Sequence, residues 1–154
     1  MERIVECHGS IHHFQCSESC TDDIWEADAE TVNINEATFR ALEPLPECRN
    51  CAGLARPNIL MFGDGTWLSH RTDAQRERFG KWLDKLTKCS ARLAVIELGA
   101  GSAIPTVRDL SEWVQQRTGG TLIRINPRDY DVPESQIALP FGAADGIRRI
   151  CEYA

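Results

Sequence analysis

Four cysteines stand in two short pairs, Cys16-x3-Cys20 and Cys48-x2-Cys51, with twenty-seven residues between the pairs. Each pair can bend round one side of a small metal ion, and the segment between them can close a tetrahedron of thiolates. Four protein ligands leave no coordination position for a substrate. The spacing therefore predicts one structural zinc ion bound by Cys16, Cys20, Cys48 and Cys51.

Two other interpretations of these cysteines stay open: a pair of disulfides, or four unrelated thiols. A disulfide framework suits the sequence less well, because seven cysteines is an odd number and we expect no secretory leader before the first pair. Reduced thiols indicate a reducing compartment, so we expect a cytoplasmic protein. We expect Cys7, Cys89 and Cys151 to be buried side chains, the last two on helices.

A histidine and two strand ends are the other candidates for chemistry. His8 could be a zinc ligand, a loop residue or a general base. The run Gly99-Ala100-Gly101-Ser102 joins an apolar segment to a predicted helix, where backbone N–H groups can meet phosphate or ribose oxygens. By itself this is a weak nucleotide signal, because the third glycine of the dinucleotide fingerprint is absent. Asn126, before Pro127, is a turn former or a ligand contact.

In their order and spacing, four segments of the chain resemble the sirtuins, the NAD-dependent protein lysine deacylases. The segments are Cys7-His8-Gly9-Ser10, residues 56–64, the loop at Gly99, and Arg124-Ile125-Asn126-Pro127. The likeness runs from about Val5 to the C-terminus and covers only the second half of that family. The family's Gly-Ala-Gly dinucleotide loop and its Gln-Asn-Ile-Asp segment would lie before the first residue of this chain.

The resemblance implies a role for each matching segment. It implies that His8 is the base that activates a ribose hydroxyl of NAD, after the acyl oxygen has attacked C1′ and displaced nicotinamide. It implies NAD contacts at Gly99, Gly101, Ser102 and Asn126, although the threonine of the family's Gly-Thr-Ser loop is missing. Phe62 and Gly63 match a strand edge to which an acylated protein or peptide adds, with Asp64 in place of glutamate. The implied cofactors are NAD and structural zinc.

Two other functions stay open: a noncatalytic zinc-bearing binding module, and a related ADP-ribosyl transferase or NAD hydrolase that needs no acylated peptide. Because the likeness begins after the family's pyrophosphate loop, we expect little deacylase activity from these 154 residues alone. We expect activity from a polypeptide that extends upstream. The same gap predicts an open sheet edge and self-association through it.

The charge of the chain is uneven. Residues 1–60 contain eleven acids and four bases, whereas the rest of the chain is nearly balanced. An acidic surface repels phosphate, so we expect no direct nucleic-acid binding by the zinc segment, and we interpret its acids as a solvated face. No apolar run approaches the roughly 18 residues that a membrane span needs.

The apolar pattern predicts the elements that must position these residues. It predicts a helix over 73–88, a second helix that begins at a cap at Thr106, and a closing helix near the end of the chain. It also predicts a helical turn within 34–42. The cap of the first helix is a Thr72–Gln75 capping box, and the closing helix has an inner face of Ala143, Ala144, Ile147, Ile150 and Cys151. Strands are predicted over 59–62, 93–98, 122–125 and 137–139. The fold class is α/β, the C-terminal part of a Rossmann-like parallel sheet with an inserted four-cysteine zinc ribbon. The predicted domains are 1–9 with 58–154, and the ribbon 10–57.

Overall fold

The computed structural model of the protein describes residues 3–27 and 32–152. Asp28 and Glu30, two of the acids that are predicted to form a solvated face of the zinc segment, lie outside the described residues. The chain divides into two compact units, Met1–Phe79 and Gly80–Ala154. The predicted domains, 1–9 with 58–154 and the ribbon 10–57, follow the sequence pattern rather than compactness, and this division stays a prediction.

The first unit is built on β1 (Gly9–Cys16), the centre of a three-stranded antiparallel sheet. On one side β1 pairs with β2 (Trp25–Glu26), and on the other with β5 (Ala55–Ile59). The β1–β5 register shifts between Ser10 and Phe14, so the strand bends as it enters the ribbon. A small core forms there from Phe14, Trp25, Ala55 and two of the cysteines.

Two of the sequence predictions for this unit need correction. The segment predicted as a helical turn contains one helix-like bond, from the Phe39 N–H to the Asn35 carbonyl at 2.7 Å, but it forms the turn of a hairpin of β3 (Ile34–Asn35) and β4 (Arg40–Ala41). The side chain of Asn35 accepts further turn N–H groups. The strand predicted over 59–62 ends at Ile59, and Phe62 is 90% exposed. The strand forms earlier because β1 supplies its hydrogen bonds over Ala55–Ile59, where local hydrophobicity is low.

Helix α1 (His70–Lys88) starts three residues before its predicted beginning. The capping box is wrong, because Thr72 and Gln75 are buried and both hydrogen-bond to Glu6. The Ser69 hydroxyl instead donates to the Asp73 carboxylate at 2.6 Å. A buried polar pair on α1 therefore serves a tertiary contact rather than the helix end.

The second unit is a three-stranded parallel sheet in the order β6 (Ala94–Leu98), β7 (Thr121–Ile125), β8 (Ile137–Leu139). Helix α2 (Thr106–Thr118) connects β6 to β7, and α3 (Ala143–Glu152) follows β8. Parallel pairing confirms the α/β fold class. Thr106 is the first helical residue rather than the cap, which is Pro105, while Gly119 ends α2 at φ 65° as predicted.

The inner face of α3 differs from its prediction. Ala143, Ala144 and Cys151 are exposed, Ile147 and Ile150 are half-buried, and the buried residue of the helix is Gly146. A Cβ at that position would overlap the side chain of Ile125, so only glycine lets the helix lie this close. Cys89 is also exposed, and Cys7 is half-buried, so the expectation of buried thiols is wrong for these cysteines.

A charged cluster lies inside the second unit. Arg124 on β7 is 1% exposed and binds Glu97 on β6, with Nε to Oε1 at 2.5 Å, and Glu112 on α2 at 2.9 Å. Burial alone would lower the pKa of Arg124, but the two carboxylates raise it. The cluster links β6, β7 and α2, and its two strand residues lie one position before the carboxyl ends of their strands. Among the described residues, no helix has the length and apolar character of a membrane span.

Candidate functional site

The four cysteines of the two pairs meet in the first unit. Their Sγ atoms all lie within 4.8 Å of one another, with Cys16 to Cys51 at 3.8 Å and Cys20 to Cys48 at 3.6 Å. Four thiolates at a Zn–S distance of about 2.3 Å form a tetrahedron with edges of about 3.8 Å. The quartet therefore fits a structural zinc ion, as its spacing predicts, and none of these thiols forms a disulfide.

Tight turns present the sulfurs. Ser19 in the first turn and Ala52 after the second pair have positive φ, and the Ala52 N–H donates to the Cys48 carbonyl at 2.9 Å. Backbone N–H groups of Cys20 and Glu18 lower the pKa of the Cys16 thiol despite its burial. Those of Asn50 and Cys51 lower the pKa of Cys48 to about 7.

The pKa of Cys20 shifts the other way. A hydrogen bond from Asn50 lowers it, but hydrogen bonds with Cys16 and Cys51 outweigh that effect and raise the pKa to about 12. Four neighbouring thiols cannot all ionise against their mutual repulsion. A divalent cation supplies the missing positive charge, which is the physical reason this donor set suits zinc.

His8 lies in the same unit, immediately before β1, and its side chain is exposed. The backbone on either side is held by distant elements. Before it, Glu6 donates its N–H to Gln75 Oε1 at 2.8 Å and accepts at its carbonyl from Thr72 Oγ1 at 3.1 Å. The Glu6 carboxylate accepts from Gln75 and pairs with Arg71. Helix α1 thus fixes the approach to His8.

The backbone after His8 is fixed by β5. The His8 carbonyl accepts from the Leu60 N–H at 2.9 Å, and Gly9 has φ 82°. A Cβ on Gly9 would overlap the carbonyl oxygen of Asn58, so this position requires glycine. Asn58 is itself buried and donates to Gln15 at 2.8 Å and to the Leu68 carbonyl at 2.9 Å. The histidine therefore sits on a rigid backbone.

The turn at Phe62 and Gly63 begins three residues after the end of β5. Phe62 projects into solvent, and Gly63 adopts φ 69°. Asp64 pairs with Arg56 at 2.8 Å and accepts from the Thr66 hydroxyl at 3.0 Å. Burial opposes the ionised form of Asp64, but Arg56 and Thr66 lower its pKa. The aspartate is a structural part of the turn.

The other predicted contacts lie at the carboxyl ends of β6 and β7 in the second unit. Gly99 has φ 67° and donates its N–H to the Ile125 carbonyl at 3.0 Å. Ser102 Oγ donates to Asp129 Oδ1 at 3.4 Å. The buried amide of Asn126 donates to the Ala100 carbonyl at 3.0 Å and accepts from the N–H groups of residues 128 and 129. Asn126 therefore ties the two loops together.

The sequence reasoning missed Glu6 and Arg108, and it gave Gln75 a different role, in a helix cap. Glu6 and Gln75 hold the His8 segment, and Arg108 holds the loop after β7 through the carbonyls of Asp129 and Asp131, at 2.7 and 3.1 Å. Their partners are distant in sequence. One signal in the sequence could have indicated the contact with Glu6: Thr72 and Gln75 are three residues apart, so their side chains lie on the same face of α1.

Comparison with known proteins shows which family the sequence is similar to. The family model of the Sir2 family matches residues 1–89, which include His8 and all four zinc ligands. A protein named NAD-dependent protein deacylase from Corynebacterium glutamicum is 27% identical over 124 residues, covering 80% of this chain and 41% of that protein. The NAD-dependent protein deacetylase hst2 of Schizosaccharomyces pombe is 25% identical over 150 residues, covering 97% of this chain and 40% of that protein.

Solved structures of sirtuins are also similar to this chain. One described as "Sir2-p53 peptide-NAD+" has a TM-score of 0.56 and 26% identity, with 97% of this chain and 54% of that chain covered. Another, on the structural basis for sirtuin substrate affinity, has a TM-score of 0.56 and 26% identity, with 97% and 56% covered. This chain spans about two fifths to just over half the length of these relatives. Because the family model matches more than half of its residues, the chain belongs to the Sir2 family.

Proposed function

We propose that this chain carries part of the machinery of an NAD-dependent protein deacylase, in which His8 is the catalytic base. The observation that carries the proposal is the fixation of His8 between α1 and β5, in the segment that the Sir2 family model matches. A general base must stay within hydrogen-bond reach of its proton donor, and a rigid backbone with an exposed imidazole meets that need. The role of His8 is to accept a proton from a ribose hydroxyl.

The loop at the end of β6 fits one edge of a nucleotide. Gly99 leaves open space where a side chain would stand, and the loop leads into the N-terminus of α2. NAD, when bound, supplies the electrophilic ribose carbon and the nicotinamide leaving group. In this proposal Gly99, Gly101 and Ser102 contact the nucleotide. The ribose contact of Asn126 stays a prediction, because its amide already bonds both loops.

The peptide partner is assigned to the turn at Phe62 and Gly63. Pairing between the start of β1 and the end of β5 stops at the bond from Leu60 to His8, so backbone groups of residues 61–63 remain beyond the sheet. An acylated peptide adds there by main-chain hydrogen bonds, which accept many sequences. The acyl group and the substrate protein stay open. A reducing, cytoplasmic setting belongs to the same proposal, because all seven cysteines are free thiols.

Self-association through the sheet edge is a separate part of the proposal. Among the described residues, β6 pairs only with β7, and its Ile96 and Leu98 are about half exposed. An unpaired strand edge beside apolar side chains favours pairing with another strand. We expect a second copy of the chain to occupy this edge, and sedimentation equilibrium over a range of concentrations measures it. A monomer at the highest concentration would contradict the expectation.

The test of the activity is nicotinamide release from NAD, with and without an acetyl-lysine peptide. We compare the 154-residue chain with a polypeptide extended upstream as its gene permits, each with His8→Ala and with His12→Ala as the control. His12 is an exposed histidine on β1, and its substitution removes none of the contacts described for the His8 backbone. We expect peptide-dependent release by the extended form, weak release by the short form, and a loss of about 10²-fold or more with His8→Ala only.

The other outcomes separate the alternatives. Release of nicotinamide that does not depend on peptide favours an NAD hydrolase or ADP-ribosyl transferase. No release and no calorimetric binding of NAD by either form favours a noncatalytic zinc-bearing module. An active form that keeps full activity with His8→Ala would refute His8 as the base, and robust turnover by the 154 residues alone would refute the expectation of weak release.

A further inference from the structure

Asn50 stands between the two cysteines of the second pair, but its side chain reaches the first pair. Its Nδ2 donates a hydrogen bond to Cys20 Sγ at 3.4 Å, across thirty residues of sequence. Cys20 is one of the two exposed members of the quartet, whereas Cys16 and Cys48 are buried. The amide therefore covers a sulfur that faces water and joins the two halves of the site.

The buried sulfurs are bonded differently. Backbone N–H groups of their own turns stabilise the thiolates of Cys16 and Cys48. These donors come with the turn and are present whatever side chains the turn carries. The bond from Asn50 to Cys20 comes from a side chain, so it is specified by one residue and can be removed by one substitution.

The surroundings of Cys20 make a donor important there. In sequence the cysteine is flanked by Glu18, Asp22 and Asp23. A zinc ion with four thiolate ligands carries net negative charge, and an N–H donor to a thiolate offsets part of it. The neighbouring Arg49 lies over the Trp25 ring at 5.6 Å from its centroid. Both residues between Cys48 and Cys51 thus contact the first half of the ribbon.

We propose that Asn50 is a positioning residue of the zinc site, which holds Cys20 on the metal through the hydrogen bond to its sulfur. Cys20 is exposed, so its dissociation from a bound zinc ion would open that ion to water and to chelators. The Asn50 amide opposes that step by stabilising the bound thiolate and by tying it to the second turn. Its loss lowers zinc affinity and speeds zinc release.

The test uses the whole chain with Asn50→Ala and Asn50→Asp. Aspartate keeps the shape of asparagine but has no N–H to donate. The matched control is Asn33→Ala, an exposed asparagine of the same ribbon. Zinc affinity and release rate are measured by competition with a chromophoric chelator. The thiolate-to-metal charge-transfer bands are then recorded with Co²⁺ at saturation, where the spectrum reports the sulfur environment.

We expect both Asn50 variants to lose about 10- to 100-fold in zinc affinity, the range seen when partners of metal ligands are removed. We expect the cobalt bands to shift in both, and Asn33→Ala to match the parent. Affinities within twofold of the parent would overturn the proposal. Parent-like behaviour of Asn50→Asp alone would show that shape, rather than N–H donation, matters and would overturn it too. Unshifted cobalt bands would do the same. None of these readouts depends on NAD or on His8.

Discussion

Glu6→Gln removes one negative charge from the contact between the His8 segment and α1, and little else. The Glu6 carboxylate pairs with Arg71 and accepts from Gln75 Nε2 at 2.9 Å. Glutamine has nearly the same shape, and the backbone bonds of residue 6 to Thr72 and Gln75 do not depend on its side chain. The variant therefore measures the charged contact separately from the packing around it.

The size of the loss follows from the exposure of the pair. A hydrogen bond to a charged group contributes about 1.5–3 kcal/mol when it is shielded from water. The Glu6 side chain is 24% exposed and that of Arg71 is 20% exposed, so solvent screens part of the interaction. We expect Glu6→Gln to lower the free energy of unfolding by about 1.5–2 kcal/mol at pH 7.

The pH dependence provides a check on the cause. Burial alone would raise the pKa of Glu6, but Gln75 and Arg71 lower it below its ordinary value of 4.5. A carboxyl whose pKa is lowered by folding stabilises the protein above its unfolded pKa, and that contribution is lost as the pH falls through the folded pKa. The difference between parent and variant should therefore stay constant from pH 8 down to about 5.

Urea unfolding of the zinc-loaded protein, followed by tryptophan fluorescence at several pH values in that range, measures the difference. The control is Glu36→Gln, an exposed glutamate on the turn between β3 and β4. A variant as stable as the parent at pH 7 would refute the reasoning. A difference that fades between pH 7 and 5.5 would also refute it, because a group other than Glu6 would then be titrating.

Three other predictions test the fold. Elemental analysis of the purified protein should find one zinc per chain. Removal of that zinc by a chelator should unfold the ribbon, because the core of the ribbon is small and includes two of the zinc ligands. Gly9→Ala should cost about 2–4 kcal/mol through overlap and positive-φ strain, whereas Gly65→Ala, which has open space around it, should change the melting temperature little. Arg124→Met should cost about 3–5 kcal/mol in urea unfolding because it leaves Glu97 buried without its partner, and adding Glu97→Met should restore most of that loss. Equal stability of the single and double variants would contradict the last prediction.

Local sequence pattern determined a large part of this protein. The spacing of the cysteines predicted the zinc ligands, because two residues or three between cysteines are enough to form each turn. Apolar runs predicted the three parallel strands to within a residue or two, and Gly119 predicted the end of α2. The resemblance that includes the His8-Gly9 dipeptide predicted the family, which the family model confirms. Each of these features depends on neighbours in the chain.

Only the tertiary structure decided how those pieces are held. Strand β5 forms because β1 pairs with it. Thr72 and Gln75 do not cap helix α1, because their side chains hydrogen-bond to Glu6 instead. The amide of Asn126 bonds two loops rather than facing solvent. A buried polar group must find a hydrogen-bond partner, and that partner can come from any part of the chain that folding brings near. Sequence periodicity does not predict which distant segment supplies that partner.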